Sequence, residues 1–367
     1  MRSLLFRSLA STLTLFALST MANTPDAPLI VEAVAPGVHA ALQPPAMRFN
    51  DANSVLIFDP QDPAAGALVV DLPSRGEAAD WWIRQMGERT AAPARFLLNT
   101  HWHSDHTQSN QRLRQASADL LILGADNLRQ EVPERAGGYL KEQIEQMPAA
   151  IAAAEERLAQ GIDREGNPLT EEGKTRLAEG IEAARQRLEE WRGVTFLPPD
   201  LTYPAGPESQ PVTLHIGAVV VELHPFRGHT RGDTVVYLPQ QKILLTGDLL
   251  DDLPYGGHGY LPEWIAALEE LQRLDFQILI PGHGRIYRGQ EGRLHLDRVL
   301  TMFRAIHRAV HDGLATGKSL EEVQEGLDLT PYRESLAGDD PVAQRAFDGF
   351  IPETIERAYR LAEGAAE

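Results

Sequence analysis

An α/β fold is what this sequence predicts, and three observations carry the prediction. Apolar runs of strand length recur in both halves of the chain, helical patterns alternate with them in the first half, and glycine turns end several of the runs. In the first half, residues 54–58 (SVLIF), 67–70 (ALVV), 96–98 (FLL) and 120–123 (LLIL) read as strands, with helices over 78–86 and 109–115 between them. In the second half, residues 212–216 (VTLHI), 218–223 (AVVVEL), 234–238 (TVVYL), 243–245 (ILL) and 278–280 (ILI) repeat the strand pattern.

Residues 136–192 differ in kind. Dense in Ala, Glu, Gln and Arg, they favour helix. Ile144, Met147, Ile151, Ala154 and Leu158 step by three and four, as do Leu177, Ile181, Ala184, Leu188 and Trp191, which draws one apolar seam on each of two charged helices. Gly161, Gly166 and Pro168 break the chain between them, and Thr170 is placed to cap the second helix, with Glu171 and Glu172 at its positive end. Pro148 falls inside the first seam, where it either kinks that helix or marks a fresh start. The prediction is an antiparallel helical hairpin inserted into the α/β domain. Its seams either pack on each other or form an arm for a protein partner or for self-association. A domain over residues 29–290 is followed by a helical extension over 291–367, in which Leu300, Phe303, Ile306 and Val310 share a face. His295, His307 and His311 lie on such helices and are read as surface or packing residues.

Composition narrows the function. A chain of 367 residues has ample length for a core, and its formal charge of −18, with no Lys/Arg cluster, argues against a nucleic-acid partner and against an anionic membrane surface. Residues 1–22 carry Arg2 and Arg7, then an apolar stretch over 9–18, then Thr20 and Ala22. That is the order of a secretory signal peptide cleaved after Ala22, the alternative being a buried or anchoring first helix. The expectation is a periplasmic or secreted protein with no stable membrane anchor after cleavage. The chain has no cysteine, so no disulfide can staple it and any metal must be held by nitrogen and oxygen.

Such donors are concentrated at residues 99–106 (NTHWHSDH), with three histidines and an aspartate within six positions just after an apolar run. A turn leaving a rigid strand can aim several of them at one cavity, a histidine-rich surface loop being the plain alternative. Three further segments set glycine directly before His or Asp at or near the end of an apolar run: 227–233 (RGHTRGD), 245–249 (LTGDL) and 280–285 (IPGHGR). Glycine there lets the chain turn sharply and lets the next side chain reach a crowded centre.

In this combination the four segments resemble the metallo-β-lactamase superfamily of metal-dependent hydrolases, over roughly residues 37–287 apart from the hairpin. The resemblance implies a four-layered αβ/βα sandwich with a two-metal site at one edge of its two sheets. It implies that His101, His103 and His229 hold one zinc, that Asp105, His106 and His283 hold the other, and that Asp248 bridges the pair, so that Asp105 and Asp248 are the carboxylates of the catalytic centre. The chemistry implied is attack by a zinc-bridged hydroxide on an ester, thioester, lactone or lactam-type bond of a small-molecule substrate, with iron or manganese as alternative metals. True metallo-β-lactamases lack the bridging aspartate and some use a cysteine ligand, so Asp248 and the missing cysteine point away from lactam cleavage as a principal activity. Relatives with a redox-active iron pair carry glutamate where His103 stands, so His103 favours hydrolysis. Asp71 looks like the strand-end aspartate that holds a ligand histidine from behind in relatives, although Leu72 and Pro73 follow where a small residue and glycine are usual. The other reading is an exposed strand end.

Two loops are expected to shape the pocket. Residues 45–51 offer Met47 and Phe49 as an apolar flap, and residues 251–260 offer Tyr255 or His258 as substrate contacts, His258 being otherwise a solvated loop residue. Trp102 is read as packing. Two other functions compete with hydrolysis: a binding or assembly protein acting through the hairpin, and an iron-dependent oxidase or dioxygenase of the same fold.

Overall fold

The computed structural model describes residues 28–206 and 208–364, and the expected signal segment at residues 1–22 lies outside the described residues. The chain divides into two units, one holding Gly137–Thr195 and the other holding Leu29–Ala136 and Phe196–Glu367.

The larger unit is built on two sheets. The first contains, side by side in chain order, β1 (Ile30–Ala35), β2 (Val38–Leu42), β3 (Ser54–Phe58), β4 (Ala67–Val70), β5 (Ala94–Leu98), β6 (Leu121–Ala125) and β7 (Leu201–Tyr203). Strands β1 to β4 pair antiparallel and β4 to β7 parallel. The second contains β8 (Val212–Ile216), β9 (Val219–Phe226), β10 (Asp233–Leu238), β11 (Ile243–Gly247), β12 (Ile278–Pro281) and β13 (Tyr287–Arg288), also in sequential order and antiparallel except between β11 and β12.

Side-chain alternation along these strands writes the layers. In β3, Val55 and Ile57 enter the core between the sheets while Leu56 and Phe58 face helices on the outside, and β4 divides Leu68 and Val70 from Ala67 and Val69 in the same way. In the second sheet Val236, Leu238, Ile243, Leu245 and Ile280 join the inter-sheet core, whereas Val235, Leu244 and Leu279 turn outward. Helix Gly76–Arg89 covers the first sheet with Ala78, Ala79, Trp82 and Met86. Helices Leu261–Leu271 and Gln290–Ala315 cover the second with Trp264, Leu268, Leu300, Phe303 and Ile306. Helix, sheet, sheet and helix make the αβ/βα sandwich.

Some elements leave little trace in the apolar pattern. Strand β1 has no fully buried residue, and β7 and β13 are three and two residues long. The C-terminal helical stretch is four helices, Gln290–Ala315, Leu320–Gly326, Thr330–Ala337 and Pro341–Ala362.

The smaller unit contains helices Gly137–Gln160 and Glu171–Arg192. Met147, Ile151 and Ala154 of the first meet Ile181, Ala184 and Leu188 of the second, so the two seams close on each other. The first helix runs on through Pro148. Thr170 Oγ1 accepts from Gly173 N at 3.0 Å and caps the second. Among the described residues no helix is long and apolar enough to cross a membrane.

Candidate metal centre

The expected ligands all sit where strands end, the usual place for ligand sites in α/β sheets. The turn after β5 carries His101 and His103, and the one-turn helix Ser104–Thr107 carries Asp105 and His106. His229 lies between β9 and β10, Asp248 directly follows β11, and His283 follows β12. Crowding here demands glycine: a Cβ on Gly282 would lie 2.2 Å from Asp248 Oδ1, and Gly247, at φ 50°, would set one 2.8 Å from Thr100.

The seven side chains form two groups, His101, His103, His229 and Asp248 in one and Asp105, His106 and His283 in the other, with the donor atoms of each group within 4.8 Å of one another. In the first group His103 Nδ1 is 3.1 Å from His229 Nε2, and Asp248 Oδ2 is 3.5 Å from both His101 Nε2 and His229 Nε2. In the second, His283 Nε2 is 3.0 Å from Asp105 Oδ2 and 3.3 Å from His106 Nε2. Asp248 reaches this group as well, with Oδ1 3.1 Å from His106 Nε2 and Oδ2 3.5 Å from His283 Nε2. Four donors held about 2.0–2.2 Å from an ion stand about 3.3–3.6 Å apart in a tetrahedron, and the separations of 3.0–3.5 Å found here lie at and just below that spacing. His101 Nε2 is buried with no hydrogen-bond partner among the described residues. Leaving such an atom bare costs about 1–3 kcal/mol, a cost that a bound cation removes. The donor set therefore fits divalent metal.

Electrostatics divide the two groups. Burial pushes His101 and His103 well below the ordinary imidazole range and His229 down to about 4, so all three are neutral donors. At His106 and His283 burial acts in the same direction and is the largest single influence, but the neighbouring carboxylates together outweigh it, Asp248 with Asp71 at His106 and Asp248 with Asp105 at His283, and without a bound cation both are held well above that range. Burial likewise works against the Asp248 carboxylate, yet His106, His283 and His101 hold it ionised.

Neighbours behind the ligands fix which nitrogen faces the centre. Asp71 is 2% exposed, and its carboxylate accepts from His106 Nδ1 at 2.8 Å, Thr100 N at 2.8 Å and Thr100 Oγ1 at 2.6 Å. Its own φ is 50°, a left-handed conformation that Asp tolerates better than most residues. With its hydroxyl proton given to Asp71, Thr100 Oγ1 accepts from His101 Nδ1 at 3.1 Å. His229 Nδ1 donates to Tyr255 O at 2.9 Å. In the neutral form of each of these three histidines the proton sits on Nδ1, which leaves the Nε2 lone pair for a cation.

The 251–260 loop brings Tyr255 to ring distances of 6.5 Å from His103 and 6.4 Å from His229, and sets His258 Nδ1 2.8 Å from His103 Nε2. Trp102 is buried edge-on to His103 at 4.4 Å, with the Arg135 guanidinium 4.5 Å over its ring. Met47 and Phe49 are held by other contacts: Phe49 packs against the helical core outside the second sheet, Met47 N donates to Pro44 O, and Arg48 between them pairs with Asp340 at 2.6 Å.

Asn53 is a supporting residue that the motifs do not reveal. Its Nδ2 donates to Pro281 O and Gly284 O, both at 3.1 Å, its N donates to Gly282 O at 2.7 Å, and its Oδ1 accepts from Gln43 N at 3.0 Å. It clamps the turn carrying His283 from both sides. A polar residue before an apolar strand gives no signal of that.

Residues 51–283 match the sequence profile of the metallo-beta-lactamase superfamily. The chain belongs to that superfamily. The type 2 metallo-beta-lactamase of Bacillus cereus is 32% identical over 99 residues, covering 25% of this chain and 38% of that enzyme. The type 2 metallo-beta-lactamase of Bacillus sp. (strain 170) is 31% identical with the same coverage, so the chain spans 38% of the length of these two superfamily relatives. Among solved structures, a stereoselective inverting sec-alkylsulfatase from Pseudomonas sp. superposes with a TM-score of 0.59 at 15% identity, covering 92% of this chain and 50% of that one. A metallo-beta-lactamase from Pseudomonas aeruginosa in its mono-zinc form gives 0.51 at 17% identity, covering 77% and 98%. Both likenesses show the superfamily fold.

Proposed function

We propose that this protein is a dinuclear metal-dependent hydrolase of small molecules, cleaving an ester, thioester, lactone or lactam-type bond. His101, His103 and His229 hold one ion, Asp105, His106 and His283 the other, and Asp248 lies between. The observation that carries the reading is the Asp248 carboxylate, whose oxygens stand 3.1–3.5 Å from histidine nitrogens of both groups. A pair of bound divalent ions supplies Lewis acidity and brings the pKa of a water toward neutrality.

The chain's own residues supply the rest. Asp71, Thr100 and Tyr255 O hold the tautomers of His106, His101 and His229. His101, His106 and His229 are no more than 1% exposed and close the site from behind, whereas the Asp105 side chain is 26% exposed. Substrate enters on the Asp105 side. Nitrogen and oxygen donors suit zinc, and metal analysis distinguishes it from iron or manganese.

Panels of esters, thioesters, lactones and lactams test the reading on the metal-loaded mature chain. Turnover is expected in at least one class, and Asp248→Ala and His103→Ala should reduce it to background. Full activity in His103→Ala contradicts the assignment. Export belongs to the same proposal, supported by residues 1–22. A periplasmic form beginning at Asn23 is expected, and an uncleaved cytoplasmic chain contradicts it.

A further inference from the structure

One loop holds the outer nitrogens of two histidines in the first ligand group. Tyr255 O accepts from His229 Nδ1 at 2.9 Å, and His258 Nδ1 lies 2.8 Å from His103 Nε2. His103 is turned opposite to the other histidines: its Nδ1 faces His229 Nε2 at 3.1 Å, so its Nε2 points away from the ligand group and meets His258. The His258 ring also stands edge-on to Trp102 at 5.0 Å. The loop itself is gripped by helix Pro341–Ala362. The Phe350 ring is 5.4 Å from that of Tyr255, Thr354 packs where a Cβ on Gly256 would come within 2.5 Å, and Arg357 Nε donates to Gly259 O at 3.3 Å. Phe350, Thr354 and Arg357 are spaced by four and three, which puts them on one face of the helix.

We propose that His258 is a positioning residue for the first metal: its Nδ1 accepts the Nε2 proton of His103 and leaves the His103 Nδ1 lone pair for the ion, on a loop braced by the C-terminal helix. A neutral imidazole carries one proton, so fixing it on one nitrogen frees the other. This inference rests on the reading that His101, His103 and His229 hold an ion. It also gives His258 a task other than touching substrate.

The test uses the full mature chain and its His258→Phe and His258→Asn variants, checked for fold by circular dichroism. Zinc affinity is measured by competition with a chromophoric chelator, and the cobalt-substituted proteins are compared by absorption. Wild type should take two equivalents. His258→Phe, which keeps a ring but loses the acceptor, should bind one equivalent about 10–100-fold more weakly, with a changed cobalt spectrum and the other equivalent unaltered. His258→Asn, whose Oδ1 can accept the same proton, should recover most of that loss. Two unaltered equivalents in His258→Phe with a raised KM overturn the proposal and make His258 a substrate contact. An Asn variant as weak as the Phe variant overturns the acceptor role. A wild type that binds no metal overturns the underlying metal assignment instead.

Discussion

His295 shows how a single buried imidazole ties this fold to pH. It is 2% exposed, its Nε2 donates to Asp251 O at 2.7 Å, and its ring stacks on Tyr287 at 4.4 Å. Burial lowers its pKa to about 4, whereas the free side chain titrates near about 6.5. Between those values the unfolded chain binds a proton that the folded one refuses, so the stability from neutral His295 is present above pH about 6.5 and is lost as pH falls toward about 4. Denaturant titrations of metal-free protein at pH 7 and pH 5 should therefore show a smaller acid loss for His295→Asn than for wild type. Equal losses would contradict the assignment. Single residues differ in how far the sequence exposes them. The metal donors stand in a histidine-dense turn and in three glycine-flanked turns and are legible as residue types. Asn53 works through carbonyls more than 200 positions away, and His258 meets a partner 155 positions away, so neither contact leaves a local pattern.

Strands buried on two faces are the most plainly legible in the sequence. Strands β3 and β4 must satisfy both the inter-sheet core and a helix layer, which forces continuous apolar runs, while β1 faces that demand weakly at its sheet edge. Helix Leu261–Leu271 buries Leu261, Trp264, Ala267, Leu268 and Leu271 at helical spacing, but it follows a loop rich in glycine and stands outside the strand pattern. The hairpin is legible because its seams keep their period for the length of both helices. Truncating the centre of that seam with Ile181→Ala should cost about 2–5 kcal/mol locally. Hydrogen exchange should then accelerate across Gly137–Gln160 and Glu171–Arg192 while bound metal is retained. Unchanged exchange would show that the seam does not hold the pair together.

At the scale of the whole molecule, the two sheets share the ligand set. The segment after β5 of the first sheet contributes His101, His103, Asp105 and His106, and the second sheet contributes His229, Asp248 and His283. Periodicity suffices for the α/β class, whereas the sandwich with its shared edge became legible only through the family resemblance that the four motifs carry together. In a chain without cysteine, ions at that edge would tie the sheets to each other, each adding about 2.7 kcal/mol of stability at a free-ion concentration of 100 times its Kd. The most direct test of this account is the number of tightly bound divalent ions per chain in wild type, His229→Ala and His283→Ala. Two, one and one are predicted; a wild type holding fewer than two, or either variant still holding both, would contradict it.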